Sequence, residues 1–123
     1  VPIHASGGTA LDVRRMAGPR TLIERLSAPP PGADIHPRIG SLALRICRVA
    51  DAGLDAAFAS GNSRDWDLAA ADLIVQEAGG RLTSLAGHPL VYNRPSVTHE
   101  ELAAAGQDRH AVIIRRFRNR PGA

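Results

Sequence analysis

From Leu42 to Ala50 apolar side chains return every three or four positions. Leu42, Ile46, Val49 and Ala50 share one face, which predicts an amphipathic helix entered at Gly40. Gly53 is placed to close it in the left-handed conformation. The period then changes: Leu54-Asp55-Ala56-Ala57-Phe58 alternates as a strand, and Ser60-Gly61-Asn62-Ser63 reads as a loop. From Asp65 or Trp66 to Ala78 the chain is apolar on nearly every side, including Leu68, Leu73, Ile74 and Val75. This helix is therefore expected to be buried on more than one face until Gly79-Gly80 stops it. Arg81 to Ser84 and Leu90 to Tyr92 flank Gly87-His88-Pro89 as a hairpin. Leu102 to Ala105 suggests a further strand, and Asp108 can cap a last helix carrying Ala111, Val112, Ile114 and Phe117.

The first forty residues are less patterned. Val1 to Gly8 offers a strand end and a Gly-Gly turn, and Pro19 opens a short helix through Leu22, Ile23 and Leu26. Ala28-Pro29-Pro30-Pro31-Gly32 ends that helix, because three prolines cannot continue it, and Ile35-His36 before Pro37 is pushed toward extended backbone. Helices alternate with strands, so the fold class is α/β in one domain, residues 1–123. The expected core is Leu42, Ile46, Val49, Phe58, Trp66, Leu73, Ile74, Val75 and Leu82. Truncating such a buried residue, as in Ile74→Ala, is expected to cost about 2–5 kcal/mol.

Composition narrows the class. A 123-residue chain with 44% apolar and 22% charged residues has enough core to fold without metals or disulfides. The lone Cys47 cannot pair within the chain, which fits a reducing, cytoplasmic setting. No apolar run is long enough for a bilayer, and Val1-Pro2-Ile3-His4 lacks the pattern of a signal peptide, so no membrane partner is expected. The chain begins at Val1 rather than Met, as expected of a processed or truncated piece. All 15 basic residues are Arg, with clusters at Arg14-Arg15 and Arg115 to Arg120, and the net charge is +3. Only 3% of residues are aromatic, too few for a base-stacking platform, which makes nucleic acid an unlikely partner. Walker, GxGxxG, CxxC and HExxH strings are absent, and the five histidines lack ligand spacing.

The informative stretch is Asp65-Trp66-Asp67-Leu68-Ala69-Ala70-Ala71, running on to Glu77-Ala78-Gly79-Gly80. It sets the carboxylate of Asp67 in the first turn of an apolar helix, where it suits the helix dipole; Asp65 is the better cap. Spacing alone leaves that structural role and a ligand role both open.

The string from Trp66 to Asn93 resembles the carboxyl-terminal signature of the inositol monophosphatase-like family of magnesium-dependent phosphatases, which includes the 3'(2'),5'-bisphosphate nucleotidases. Gly40-Ser41-Leu42, followed by Gly53-Leu54-Asp55-Ala56, resembles the family's Gly-Ser/Thr helix and its next strand. The resemblance implies the carboxyl-terminal half of a two-part α/β sugar-phosphatase fold, a mixed sheet with helices on both faces. It implies Asp67 as a Mg²⁺ ligand and Gly40, Ser41 and Leu42 as substrate contacts; Arg64, next to the loop, is placed to meet a phosphate, with a solvated loop arginine as the alternative. It also implies partners, a phosphorylated small-molecule substrate and the enzyme's amino-terminal half; the apolar surface that a half cut from such a pair exposes makes a homodimer a further expectation. The family's Asp-Pro-x-Asp-Gly-Thr metal element occurs nowhere in the 123 residues, so no complete catalytic set is expected and the chain alone should be inactive. Ala59 and Ser60 stand near where some inositol phosphatases carry Glu, which opens the substrate question to bisphosphate nucleotides and other sugar phosphates. A non-catalytic module binding a partner through the exposed seam is the alternative, and an Arg-rich nucleic-acid binder the third reading.

Overall fold

The computed structural model describes residues 3–11, 15–19, 22–23, 42–59, 63–90, 98–99 and 101–119, with the side chains of 63–67, 98–99 and 119 excepted. In chain order its elements are β1 (Met16–Ala17), α1 (Leu42–Ala50), β2 (Ala56–Ala59), β3 (Ser63–Arg64), α2 (Asp65–Glu77), β4 (Gly80–Ser84), β5 (Thr98–His99), β6 (Leu102–Gly106) and α3 (Gln107–Asn119).

Four strands make a mixed sheet in the order β1-β2-β6-β4. β1 runs parallel to β2, while β6 is antiparallel to both β2 and β4, with Phe58 opposite Ala103 and Thr83 opposite Ala103 from the other side. The central strand β6 reads Leu-Ala-Ala-Ala-Gly and is buried throughout, so it lets helices approach both faces of the sheet. The period-2 alternation sorts the two cores. Ala57, Ala59, Leu82, Leu102 and Ala104 pack with Ile46 and Val49 of α1 and with Leu68 and Val75 of α2. Ala56, Phe58, Ala103 and Ala105 face the other way, toward Met16, Leu22, Ile23 and the Ile113, Ile114 and Phe117 stripe of α3. Phe58 meets Phe117 edge-to-face, with ring centres 6.1 Å apart at 72°. This is the α/β class that the periodicity indicates, with helices on both faces of a mixed sheet as the resemblance implies.

The sequence reading needs several corrections. Leu73 is 59% and Ile74 37% exposed, so neither is core and Ile74→Ala does not carry the cost of a buried truncation. Among the described apolar side chains, α2 rests on the sheet and on α1 through Leu68, Ala71, Val75 and Ala78; an apolar run shows that a helix can be buried all round, not that anything covers it. Leu42 is half-buried against the core, and Trp66 has no described side chain. Ala52, at φ 65°, takes the left-handed position expected of Gly53 after α1. Asp108 lies within the first turn of α3 rather than at its cap. The Arg81 hairpin shortens to a tight return: after Gly87 only Thr83 and Pro89 bridge, and Val91-Tyr92 lie outside the described residues. Ala5 to Gly8 form no strand, and β1, β3 and β5 are short strands that periodicity missed. The Pro19 helix is seen at Leu22 and Ile23, whose N–H groups donate to the Pro19 carbonyl; its continuation to Leu26, the proline run and Ile35-His36 fall outside the described residues.

Gly79, at φ +86°, is left-handed and ends α2 so that β4 can turn back under it. Gly18 is needed for a different reason. At φ +148° a Cβ there would lie 2.7 Å from both Cβ and the carbonyl oxygen of Phe58, atoms locked in the central sheet. We expect Gly18→Ala to lower stability by about 1–3 kcal/mol, read as an earlier urea midpoint, by forcing β1 off β2.

Candidate functional site

One end of the sheet gathers the residues singled out by the sequence. β2 runs from Ala56 to Ala59 and, after residues 60–62, the chain enters β3 and then α2 at Asp65. β3 is held by pairing with β5, Ser63 opposite His99 and Arg64 opposite Thr98, which fixes the direction from which α2 starts. Asp67 is the third residue of α2, and Leu68, fully buried, pins that first turn to the core. The N–H groups of a first helical turn have no partner within the helix, so this end favours negative charge.

α1 runs antiparallel to β2, and its amino end therefore meets the carboxyl end of β2. A direct contact marks this: Arg45 Nη1 donates to the Phe58 carbonyl at 3.0 Å. Leu42 begins α1 one turn earlier, so Leu42, Arg64 and Asp67 belong to elements that start at the same end of the sheet. Gly40 and Ser41 precede the described part of α1, and the side chains of Arg64 and Asp67 lie outside the described set.

Arg45 is a residue the sequence reading missed. Its Nε is buried without a hydrogen-bond partner, and burial pushes its guanidinium pKa down from the ordinary value. Only its place on the inner side of α1, beside the Leu42 and Ile46 face, hinted at it. Glu101, just before β6, is half-buried and its carbonyl accepts from Leu85 N–H. Among the described residues no three His, Cys, Asp or Glu side chains come together as a metal site. One carboxylate at the start of α2 does not hold Mg²⁺ against its hydration shell. The described residues therefore do not by themselves make a complete metal site.

At the opposite end of β2 lies a buried ionic cluster that no motif announced. Asp55, 7% exposed, accepts from Ser6 Oγ at 2.8 Å and Arg15 Nε at 2.9 Å, with Arg109 Nη1 at 4.0 Å. Arg109, 4% exposed, also donates to the carbonyls of Ala10, Ser6 and Gly7. These bonds tie the amino-terminal segment to α3, far from the Asp67 end. Their task is structural.

On the α3 face, His110 is 5% exposed and its Nε2 lies 2.8 Å from Thr83 Oγ1. The Thr83 hydroxyl donates its single proton to the Ser84 carbonyl at 2.8 Å, so it accepts from His110, whose proton sits on Nε2. Burial and then the nearby Arg81 charge push the His110 pKa down to about 4.

The model of the inositol monophosphatase family matches residues 4–121. An inositol-1-monophosphatase of Caulobacter vibrioides is 35% identical over 83 residues, 66% of this chain and 30% of that protein. A histidinol-phosphatase of Mycobacterium tuberculosis is 54% identical over 44 residues, 36% of this chain and 16% of that protein. Among solved structures, the extragenic suppressor protein suhB of Bartonella henselae superposes with a TM-score of 0.72 at 23% identity, over 94% of this chain and 47% of that one. That likeness shows the shared fold. The chain thus spans less than a third of these curated relatives and about half of the solved structure.

Proposed function

This chain belongs to the inositol monophosphatase family, and we propose that it is the carboxyl-terminal half of a magnesium-dependent phosphomonoesterase. In this reading Asp67 supplies one Mg²⁺ ligand, Gly40, Ser41 and Leu42 and the Arg64 side chain contact the substrate, and the amino-terminal half supplies the remaining carboxylates. Bound Mg²⁺ would polarise the phosphate ester. The observation that carries the reading is the convergence of the α1 and α2 starts at the carboxyl end of β2, with Asp67 in the first turn of α2. Support for a missing half comes from α2, whose outer face leaves Leu73 and Ile74 in solvent, as expected of a seam. The same patch suits the alternative, a non-catalytic module that binds a partner there, or a homodimer contact. The free, half-buried Cys47 fits a cytoplasmic enzyme, and no helix among the described residues is long and apolar enough to cross a membrane.

Candidate substrates are inositol phosphates, 3'(2'),5'-bisphosphate nucleotides and, from the histidinol-phosphatase relative, an amino-alcohol phosphate. Arg45 favours the bisphosphate class. It brings a guanidinium to the end of β2 next to Ala59, where a carboxylate would favour a hydroxyl-rich ligand and a cation favours a second anionic group.

The test is phosphate release with Mg²⁺ across these three substrates. We expect none from the isolated 123-residue chain, and release when it is joined to an amino-terminal half carrying Asp-Pro-x-Asp-Gly-Thr. In the joined protein Asp67→Asn should cost at least about a hundredfold in rate, some 2.7 kcal/mol, with little change in melting temperature. If Asp67 serves only the helix dipole, the variant instead loses about 0.3–1 kcal/mol of stability and keeps wild-type kinetics. That outcome would remove the ligand assignment, whereas robust release by the isolated chain would overturn the reading of it as an incomplete half.

A further inference from the structure

β4 is the edge strand of the sheet, and Arg81, in register with Ala105, points to the face that α3 covers. Along α3, His110, Ile114, Arg115 and Arg118 recur at the spacing of one helical stripe, on the side that leans over β4. Between them runs a groove of about 750 Å³, closed at one end by the turn at Gly87. Three guanidinium groups from two elements therefore line one concavity, and among the described residues no carboxylate lines it with them. Among the described residues, neither Arg81, Arg115 nor Arg118 has an ion-pair partner; the ion pairs there belong to Arg15, Arg48 and Arg109.

We propose that this groove between α3 and β4 is a binding site for a small, multiply phosphorylated anion, held by Arg81, Arg115 and Arg118. Arginines late in a helix complement its dipole, which gives Arg115 and Arg118 an ordinary role. Arg81 has no such role: it sits at the start of an edge strand and adds its charge to theirs. Holding like charges around one cavity is unfavourable until an anion enters, and planar guanidinium forks match phosphate oxygens two at a time. The volume falls in the range of small-molecule sites, and among the described residues the lining offers Ala, Gly and Ile with no Phe, Tyr or Trp, while the His110 ring is only 5% exposed. A base therefore has nothing to stack on, which favours clustered phosphates over single-stranded nucleic acid. The groove lies on the α3 face of the sheet, whereas the Asp67 helix packs on the other, so it is separate from the proposed phosphatase site.

His110 at the groove wall makes occupancy visible. Arg81 contributes to keeping that imidazole neutral, and an anion beside Arg81 opposes this effect. The experiment is titration of the purified chain with inorganic tripolyphosphate at low ionic strength, followed by calorimetry and by NMR of the histidine rings. We expect saturable one-to-one binding and a His110 pKa raised by about half a unit or more when bound. Arg81→Gln with Arg118→Gln should weaken binding at least about tenfold. Arg116→Gln, the same charge change on an exposed residue outside the groove, should leave it within about twofold. All these arginines are exposed, so the variants keep the fold, which the amide spectrum verifies. Absent saturation, an equal loss in Arg116→Gln, or a single-stranded RNA oligonucleotide that binds more tightly than tripolyphosphate would each overturn the proposal.

Discussion

Arg109→Ala should lower unfolding stability by about 3–5 kcal/mol, a large part of the 5–15 kcal/mol typical of a domain. The guanidinium is 4% exposed and its donors are distributed over one segment: Nε to Ala10 O at 2.8 Å, Nη1 to Ser6 Oγ at 2.8 Å and Ser6 O at 3.1 Å, Nη2 to Gly7 O at 2.8 Å. Truncation strips three carbonyls of their buried guanidinium donor and leaves Asp55 with Ser6 and Arg15 among its described partners. Arg109→Lys should rescue only part of the loss, because an ammonium cannot reproduce a fork that serves three residues. Charge alone is not the reason. The exposed Arg48–Asp51 pair, 3.7 Å apart on the last turn of α1, should cost less than about 1 kcal/mol when broken. Denaturant midpoints of Arg109→Ala, Arg109→Lys and Arg48→Ala check the ranking. Equal, small losses in Arg109→Ala and Arg48→Ala would show that the cluster contributes no more than a surface pair.

The contrast between those two arginines also explains what was legible in the sequence. α1 could be read because Ile46, Val49 and Ala50 repeat with the helix and all three are buried. β6 could be read because a run of small apolar residues between turns suits a strand covered on both faces. Periodicity is local, however, and Arg109 meets Ser6 and Asp55 across most of the chain, so nothing in either neighbourhood signals the pairing. β1 was missed for the same reason: two residues, Met16-Ala17, beside Arg14-Arg15 carry no period, and only pairing with Ala56-Ala57 makes them a strand. α2 failed in the other direction, since its outer apolar face promised burial that the described residues do not supply. At the candidate site Asp67 and the α1 start were reached through resemblance, and their roles belong to the proposal. The sequence reading missed Arg45, because a lone arginine in an amphipathic helix looks like a solvated one until its Nε is found buried.

His110 should make stability fall as pH drops from about 6.5 to 4, by about 3 kcal/mol over that window. In the folded chain its pKa is lowered to about 4, first by burial and second by Arg81, while in the unfolded chain it returns to its ordinary value of 6.5. The unfolded state therefore binds the proton first as the solution is acidified. Above pH 6.5 both states are neutral at this position and its full contribution is present. Between 6.5 and 4 each step down favours the unfolded chain, and below 4 both states are protonated and the contribution levels off. Among the described residues no charged group in the groove compensates, since Arg81, Arg115 and Arg118 are all cations that disfavour a further positive charge. Carboxylates titrate toward the lower end of this range as well, so the measurement is a difference. Urea unfolding of wild type and His110→Gln, whose amide can still donate to Thr83, should show the steeper acid loss only in wild type. Parallel curves for the two proteins from pH 7.5 to 4 would mean that the imidazole takes up its proton in the fold as readily as in the open chain.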